Sequence, residues 1–481
     1  MNRYFASAAV FVASAAVLVL EIVAGRILAP YVGVSLQTFT GIIGTILAAI
    51  AVGAWLGGRA ADRHDPARLL GPILIVGGIL AVVSPALVYI LGPATAGEGP
   101  VTIVFLAAVG FFLPAAVLSA VTPVVAKALL GSLDETGSVV GQLSAIGTAG
   151  ALFGTFVTGF VLIAAMPSQP ITWVVGVVLV LLGGLQMLGI GQRATVSTLV
   201  ILAVSIAASA AVAAPCDYET AYSCAVVVEQ SDGDRRMKAL VLDTFVNSVV
   251  DLDDPTFLAS RYARVVDAVV SSRSPGGPRN VVYIGGGAMT LPRHYHESAG
   301  SLAVVLELDD LVPQIAVDDL GLEPGPWLKV IPGDARVTLS ALAEGQFDVA
   351  VGDAFSGRSV PWHLTTVEFV EDVQAVLEPG GLYVMNVIDH PPFGFVKAEA
   401  VTLLAVFDHV AVVAPLEYLE GGRGGNFVLV GSNDSIEPPA IAAHLVDGEE
   451  VIVDGTVADW AGDATALTDR FAPVDQILSR P

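Results

Sequence analysis

Two hydrophobic patterns divide the 481-residue chain. Up to about residue 214 the apolar residues run in long, nearly unbroken stretches. Beyond it they form short runs separated by Gly, Pro and acidic positions. Seven stretches of the first part are long enough to cross a bilayer, which takes roughly 20 residues. They lie near 4–29, 36–57, 69–91, 101–130, 138–166, 170–190 and 195–214. The first is too long, and too closely followed by further spans, to be a cleaved signal peptide. Small residues at four-residue spacing, as in Gly53…Gly57 and Gly150…Gly154, permit close contact between helices.

The second part has a different period. YSCAVVVEQ, a turn at Ser231-Asp-Gly-Asp and MKALVLDTFVNSVV read as a hairpin or small meander, with a helix after it through 255–270. Strands are expected at 281–284, 302–308, 327–331, 347–353, 381–388, 409–414 and 426–431, and the last two finish the sheet. Helices near 289–297, 336–343, 364–377 and 394–407 alternate with them. That alternation implies a doubly wound α/β domain, a parallel sheet covered on both faces. The expected organisation is a transmembrane domain at 1–214, a β-rich segment at 215–275, the α/β domain at 276–435 and an acidic tail at 436–481. The tail reads as irregular from Asn433 onward and receives no role.

Charge sharpens this division. Residues 1–214 hold 7 basic and 6 acidic residues, leaving 15 of the 22 basic and 40 of the 46 acidic residues to the rest, a net charge of −25. Such a surface excludes nucleic acid, which needs a basic footprint. It attracts cations such as polyamines or metal ions, or it serves solubility alone. Arg3, Arg59, Arg63, Arg68, Lys127 and Arg193 all fall on one face of the membrane, which the positive-inside rule makes cytoplasmic. Only Arg26, near the outer end of the first span, lies on the other side. With seven spans the chain leaves the membrane outside, so the soluble domain is expected to be extracytoplasmic. Cys216 and Cys224, the only two cysteines, lie just beyond the seventh span. They either close a small disulfide loop, in keeping with an oxidising compartment, or remain two buried thiols.

Candidate chemistry gathers at strand ends. Val281-Val-Tyr-Ile-Gly-Gly-Gly-Ala-Met-Thr290 reads as a strand running into a glycine turn and a helix start, where backbone can approach a ligand closely. Glu307 lies 22 residues past Gly285, close to the roughly 20 expected of an acid that accepts hydrogen bonds from ribose hydroxyls. Asp334 ends the third strand, placed to accept from an adenine amino group or simply to cap a helix. Asp353 ends the fourth, placed to take a proton from an attacking amine or to serve as a turn aspartate. Within the membrane, Glu21 and Arg26 share one span. Ionisable groups at that depth are costly and often functional, although a salt bridge or a snorkelling Arg accounts for them more simply.

The ordered motifs LVLD, VVYIGGG, ELD, GDA, GDAF, HLTTVEF and LEPGGLYVMNV resemble the spermidine synthase (polyamine aminopropyltransferase) family. LEIVAGRILAPYVG and GAWLGGRAADR are similar to the opening of its bacterial members fused to a membrane region. The resemblance implies a Rossmann-like, methyltransferase-type domain behind a multi-pass helical membrane domain. It also implies a transferase moving an aminopropyl group from decarboxylated S-adenosylmethionine to an amine such as putrescine, without a metal. The bilayer and the amine are then its partners, and a homodimer is among the assemblies implied.

Carried over by motif, Gly285, Gly286 and Gly287 line the donor site, Glu307 holds the ribose, and Asp334 and Ala335 meet the adenine. Asp353 is the proton acceptor, with Tyr222, Tyr262 and Ser356 at the substrate pocket. Four positions depart from the family pattern. Ala288 and Ser356 replace aspartates, Ser223 replaces a glutamine, and Ala263 replaces a polar residue. All four lie on the amine side, so the nucleoside half is the better kept. Two alternatives follow: another S-adenosyl-dependent transferase acting on an envelope component, or a non-catalytic synthase-like domain coupled to transport. An outside location, where cytosolic sulfonium donors are scarce, favours the latter.

Overall fold

The computed structural model describes residues 2–479 except 98, 131–135, 192–195, 356 and 358, which leaves Arg193 and Ser356 outside the described residues. The chain forms two compact units, Met1–Ala225 and Val226–Pro481.

The first unit is helical. Arg3–Val32, Leu36–Arg63, Pro66–Thr95, Pro100–Leu129, Thr136–Ala165 and Ser168–Gly189 are each long and apolar enough to span a membrane. Val196–Ala210 follows as a shorter apolar helix of 15 residues, below the roughly 20 that a straight span requires. Glycines allow the closest crossings. A Cβ on Gly53 or Gly57 would run into the backbone of Ala116 or Ala120, and one on Gly150 or Gly154 into that of Phe11 or Ala15. Such contact suits a bundle in lipid, where close packing rather than the hydrophobic effect holds helices together. At the end that carries the basic loops, Lys127 Nζ lies 2.9 Å from Asp62 Oδ1.

At the other end Arg26 is only 16% exposed and pairs with Glu219, not with Glu21; Nε lies 3.2 Å from Oε1. Arg26 also donates to the carbonyls of Thr220 and Ala221. Glu219 in turn accepts the Ser168 N–H at 3.0 Å. Gln169 Nε2 donates to the Ser209 carbonyl at 2.9 Å, so the last helix ends beside the start of the sixth. The chain therefore leaves the bundle at the Arg26 end, where a Cys216–Cys224 disulfide closes its first loop.

Strand β1 (Tyr218–Glu219) pairs antiparallel with the start of β2 (Cys224–Asp232). β3 (Arg235–Leu242) and β4 (Phe245–Asp251) complete a four-stranded meander. Helix Arg261–Arg273 begins six residues later than the sequence suggests, and ends three later. The large sheet contains β5 (Asn280–Ile284), β6 (Leu302–Glu307), β7 (Leu328–Pro332), β8 (Phe347–Gly352), β9 (Leu377–Asp389), β10 (His409–Pro415), β11 (Gly425–Ser432) and β12 (Glu449–Val453). Its order is β12-β10-β11-β9-β8-β5-β6-β7.

Two expectations need correction. The sheet is parallel only from β9 to β7, because β11, β10 and β12 run antiparallel. The tail is not irregular, since β12 pairs with β10 and helix Gly455–Ala461 follows it. Its acidic residues hid a half-buried edge strand in which only Glu449-Glu-Val-Ile-Val453 alternates weakly. Helix Leu311–Asp318, unassigned in the sequence, fills the crossover between β6 and β7. Helix Gly394–Leu404 packs over the sheet, and its Glu399 is fully buried with neither carboxyl oxygen bonded.

Candidate active site

β5, β6, β7 and β8 bring their carboxyl ends together. β6 and β7 lie on one side of β5 and β8 on the other. That reversal opens a crevice over the strand ends, the usual ligand position in an open α/β sheet. From Ile284 the chain turns through Gly285, Gly286 and Gly287 into helix Thr290–Ala299. Gly285 has φ +89°, and a Cβ there would lie 2.5 Å from the Asp353 carbonyl oxygen. Gly287 has φ +48°, and its Cβ would lie 2.5 Å from Asn247 Oδ1 and 2.6 Å from Ser248 Oγ on β4. The turn is thus wedged between β4 and the end of β8, where side chains would not fit.

Glu307, at the end of β6, accepts the Gly286 N–H at 2.8 Å on Oε2 and the Asp309 N–H at 3.1 Å on Oε1. Burial raises its carboxyl above the ordinary range, and these backbone bonds oppose the rise. A carboxylate has about four acceptor positions, so these backbone bonds do not exhaust it.

Asp334 follows β7 and caps helix Ala335–Leu339, accepting the Arg336 N–H at 2.9 Å on Oδ1. Its other oxygen, Oδ2, lies 3.0 Å from His363 Nε2. The cap thus engages one oxygen, and the capping and ligand readings of Asp334 do not exclude one another. Ala335 is buried behind it.

Asp353 follows β8, its N–H donating to the Ile284 carbonyl at 2.9 Å. Oδ2 accepts the Tyr262 hydroxyl at 2.8 Å, and Oδ1 accepts Asn386 Nδ2 at 2.9 Å. Asn386 is oriented by Asn426, whose Nδ2 donates to Asn386 Oδ1 at 2.9 Å. Burial pushes the Asp353 carboxyl up, while the bonds from Asn386 and Tyr262 pull against it. Burial and the adjacent carboxylate push the Tyr262 hydroxyl well above its ordinary range, so it remains a donor. A carboxylate with a raised pKa is the stronger base.

Gly285, Gly286, Gly287, Glu307, Asp334, Ala335, Asp353 and Tyr262 thus line one edge of the sheet or bond to a residue that does. Tyr222 belongs to the other unit, inside the disulfide loop, and is 54% exposed. Ala288 is fully buried, with its N–H donating to Ser248 Oγ at 3.1 Å. Asn386, Asn426, Asn247, Ser248 and His363 were not singled out from the sequence. Asn386 carried a signal, as a lone amide inside the apolar run Leu382-Tyr-Val-Met-Asn-Val387. Among the described residues no group of three or more His, Cys, Asp or Glu is placed to hold a metal ion.

No protein-family model matches the chain. It is 28% identical over 212 residues to a polyamine aminopropyltransferase of Vibrio vulnificus, covering 40% of this chain and 68% of that protein. A polyamine aminopropyltransferase of Chromobacterium violaceum is 27% identical over 143 residues, covering 29% of this chain and 54% of that one. Among solved structures, a probable spermidine synthase from Corynebacterium glutamicum is 27% identical with a TM-score of 0.49, covering 55% of this chain and 98% of that one.

Proposed function

Since this chain belongs to the spermidine synthase family, we propose that it is a membrane-bound aminopropyltransferase using decarboxylated S-adenosylmethionine as donor. The observation that carries the proposal is the set Gly285–Gly287, Glu307 and Asp353, joined through the Gly286 N–H and the Gly285–Asp353 contact. Glu307 takes the ribose hydroxyls and Asp334 the adenine amino group. The amine nitrogen attacks the propyl carbon attached to the sulfonium. The carbon–sulfur bond breaks with its electron pair passing to sulfur, and neutral methylthioadenosine leaves. The surplus proton on nitrogen passes to Asp353, whose raised pKa favours that transfer. Tyr262 and Asn386 hold the carboxylate still and supply no proton.

The acceptor is a cationic amine drawn by the excess of acid in the soluble half. With Ala288 and Ser356 in place of two carboxylates, it binds through fewer charges than a diamine would use. Mass spectrometry of purified protein incubated with the donor and a panel of mono-, di- and triamines tests this. Methylthioadenosine and an aminopropylated amine are expected; neither product with any acceptor overturns it.

The soluble unit lies outside the cytoplasm in this reading. The exit of the chain beside Arg26, away from the basic loops, and the disulfide both support that side. Labelling single cysteines of the soluble unit in intact cells with an impermeant maleimide is expected to succeed; protection until the cells are lysed would reverse the orientation.

A further inference from the structure

We infer that His363 is a specificity-determining residue of the nucleoside pocket, setting Asp334 to read a 6-amino purine; the inference rests on the nucleoside site proposed above. Asp334 has two oxygens with separate duties. Oδ1 is engaged by the Arg336 N–H as the helix cap, which leaves Oδ2 the less committed oxygen. His363 Nε2 lies 3.0 Å from that oxygen. That contact places the imidazole edge against Oδ2. Oδ2 is held in direction by the histidine. It accepts an amino N–H and repels the carbonyl oxygen that replaces it in a 6-oxo purine. Asp334 is 40% exposed on its side chain and would otherwise be free to turn.

The histidine is itself fixed. Its carbonyl accepts Arg336 Nη1 at 3.3 Å, and its ring meets Trp362 edge to face at 5.8 Å between centroids. Arg336 also donates to Thr366 Oγ1 at 3.0 Å and to Asp469 Oδ2 at 2.8 Å. Asp469 belongs to the tail and accepts the Thr366 hydroxyl at 2.7 Å on its other oxygen. The tail therefore braces the segment that carries His363, a duty invisible in its acidic sequence.

Calorimetry on the full-length protein in detergent, with 5′-methylthioadenosine and 5′-methylthioinosine, tests the inference. The unaltered protein is expected to prefer the adenosine compound. His363→Ala should weaken it about 10-fold and leave the inosine compound unchanged, the loss expected for one hydrogen bond to a charged acceptor. His363→Gln, which keeps a donor amide, should recover most of the preference. Equal weakening of both ligands, or no change with either, overturns the role of His363. Absence of methylthioadenosine binding to the unaltered protein overturns the nucleoside site itself.

Discussion

The Tyr262 hydroxyl donates to Asp353 Oδ2 at 2.8 Å, joining helix Arg261–Arg273 to the end of β8. That bond stabilises the charged carboxylate and opposes the upward push of burial. Tyr262→Phe removes it, so the Asp353 pKa rises further and the acid limb of the pH–rate profile moves to higher pH. Below that limb the base is protonated and transfer is lost. The rate at neutral pH should fall about 10-fold, in line with one hydrogen bond to a charged group. A profile superimposable on that of the unaltered protein would contradict the assignment.

In the proposed site Glu307 takes the ribose through its oxygens, and it also holds the Gly286 N–H. Glu307→Gln keeps the shape and one acceptor but loses the charge that two ribose hydroxyls meet. Methylthioadenosine affinity should drop about 10- to 100-fold. A 2′,3′-dideoxy analogue should bind both forms alike, which separates loss of ribose contact from collapse of the glycine turn.

Much of this site was legible because strand ends and binding residues coincide in the sequence. The apolar run before Gly285 ends where β5 ends, and Glu307 and Asp353 close or follow their strands in the same way. What stayed hidden depends on contacts across the fold. Asn386 and Asn426 meet only because β9 and β11 pair antiparallel, with Asn426 opposite Ile388. His363 meets Asp334 across 29 positions of chain, and no local pattern announces it. Glu219 looked like one of many acids in an acidic half, yet it enters the mouth of the helical bundle. β12 was missed because its glutamates and the surrounding acids masked a two-residue period.

The Arg26–Glu219 pair, with each side chain only 16% exposed, anchors the segment that follows the last helix. Glu219→Ala leaves Arg26 with the Thr220 and Ala221 carbonyls and the Ser168 hydroxyl, and frees the Ser168 N–H. A loss of about 1–3 kcal/mol is expected for unmaking these bonds at a partly buried site. It should appear as a lower thermal midpoint in detergent, with Glu219→Gln intermediate. An unchanged midpoint would mean that the segment is held by the disulfide alone.

Glu399 is buried in the soluble unit with both carboxyl oxygens unbonded. Burial raises its pKa well above the ordinary value in the folded state. Its contribution to stability is therefore complete below the unfolded-state pKa and is lost as pH rises through the folded-state value. Glu399→Met keeps the volume and removes the unsatisfied group. The soluble unit should gain about 1–3 kcal/mol at neutral pH, and part of its pH dependence should disappear. Denaturant melts at two pH values measure both effects.

In the proposed reaction Asp353 accepts the proton of an amine attacking a nucleoside sulfonium donor bound over Gly285–Gly287. Asp353→Asn tests it most directly, with transfer and binding measured on the same sample. Methylthioadenosine should still bind within a few-fold of the unaltered protein, since Glu307 and Asp334 are untouched. Its release from decarboxylated S-adenosylmethionine in the presence of amine should fall at least 100-fold. Release at the unaltered rate by Asp353→Asn would contradict the account.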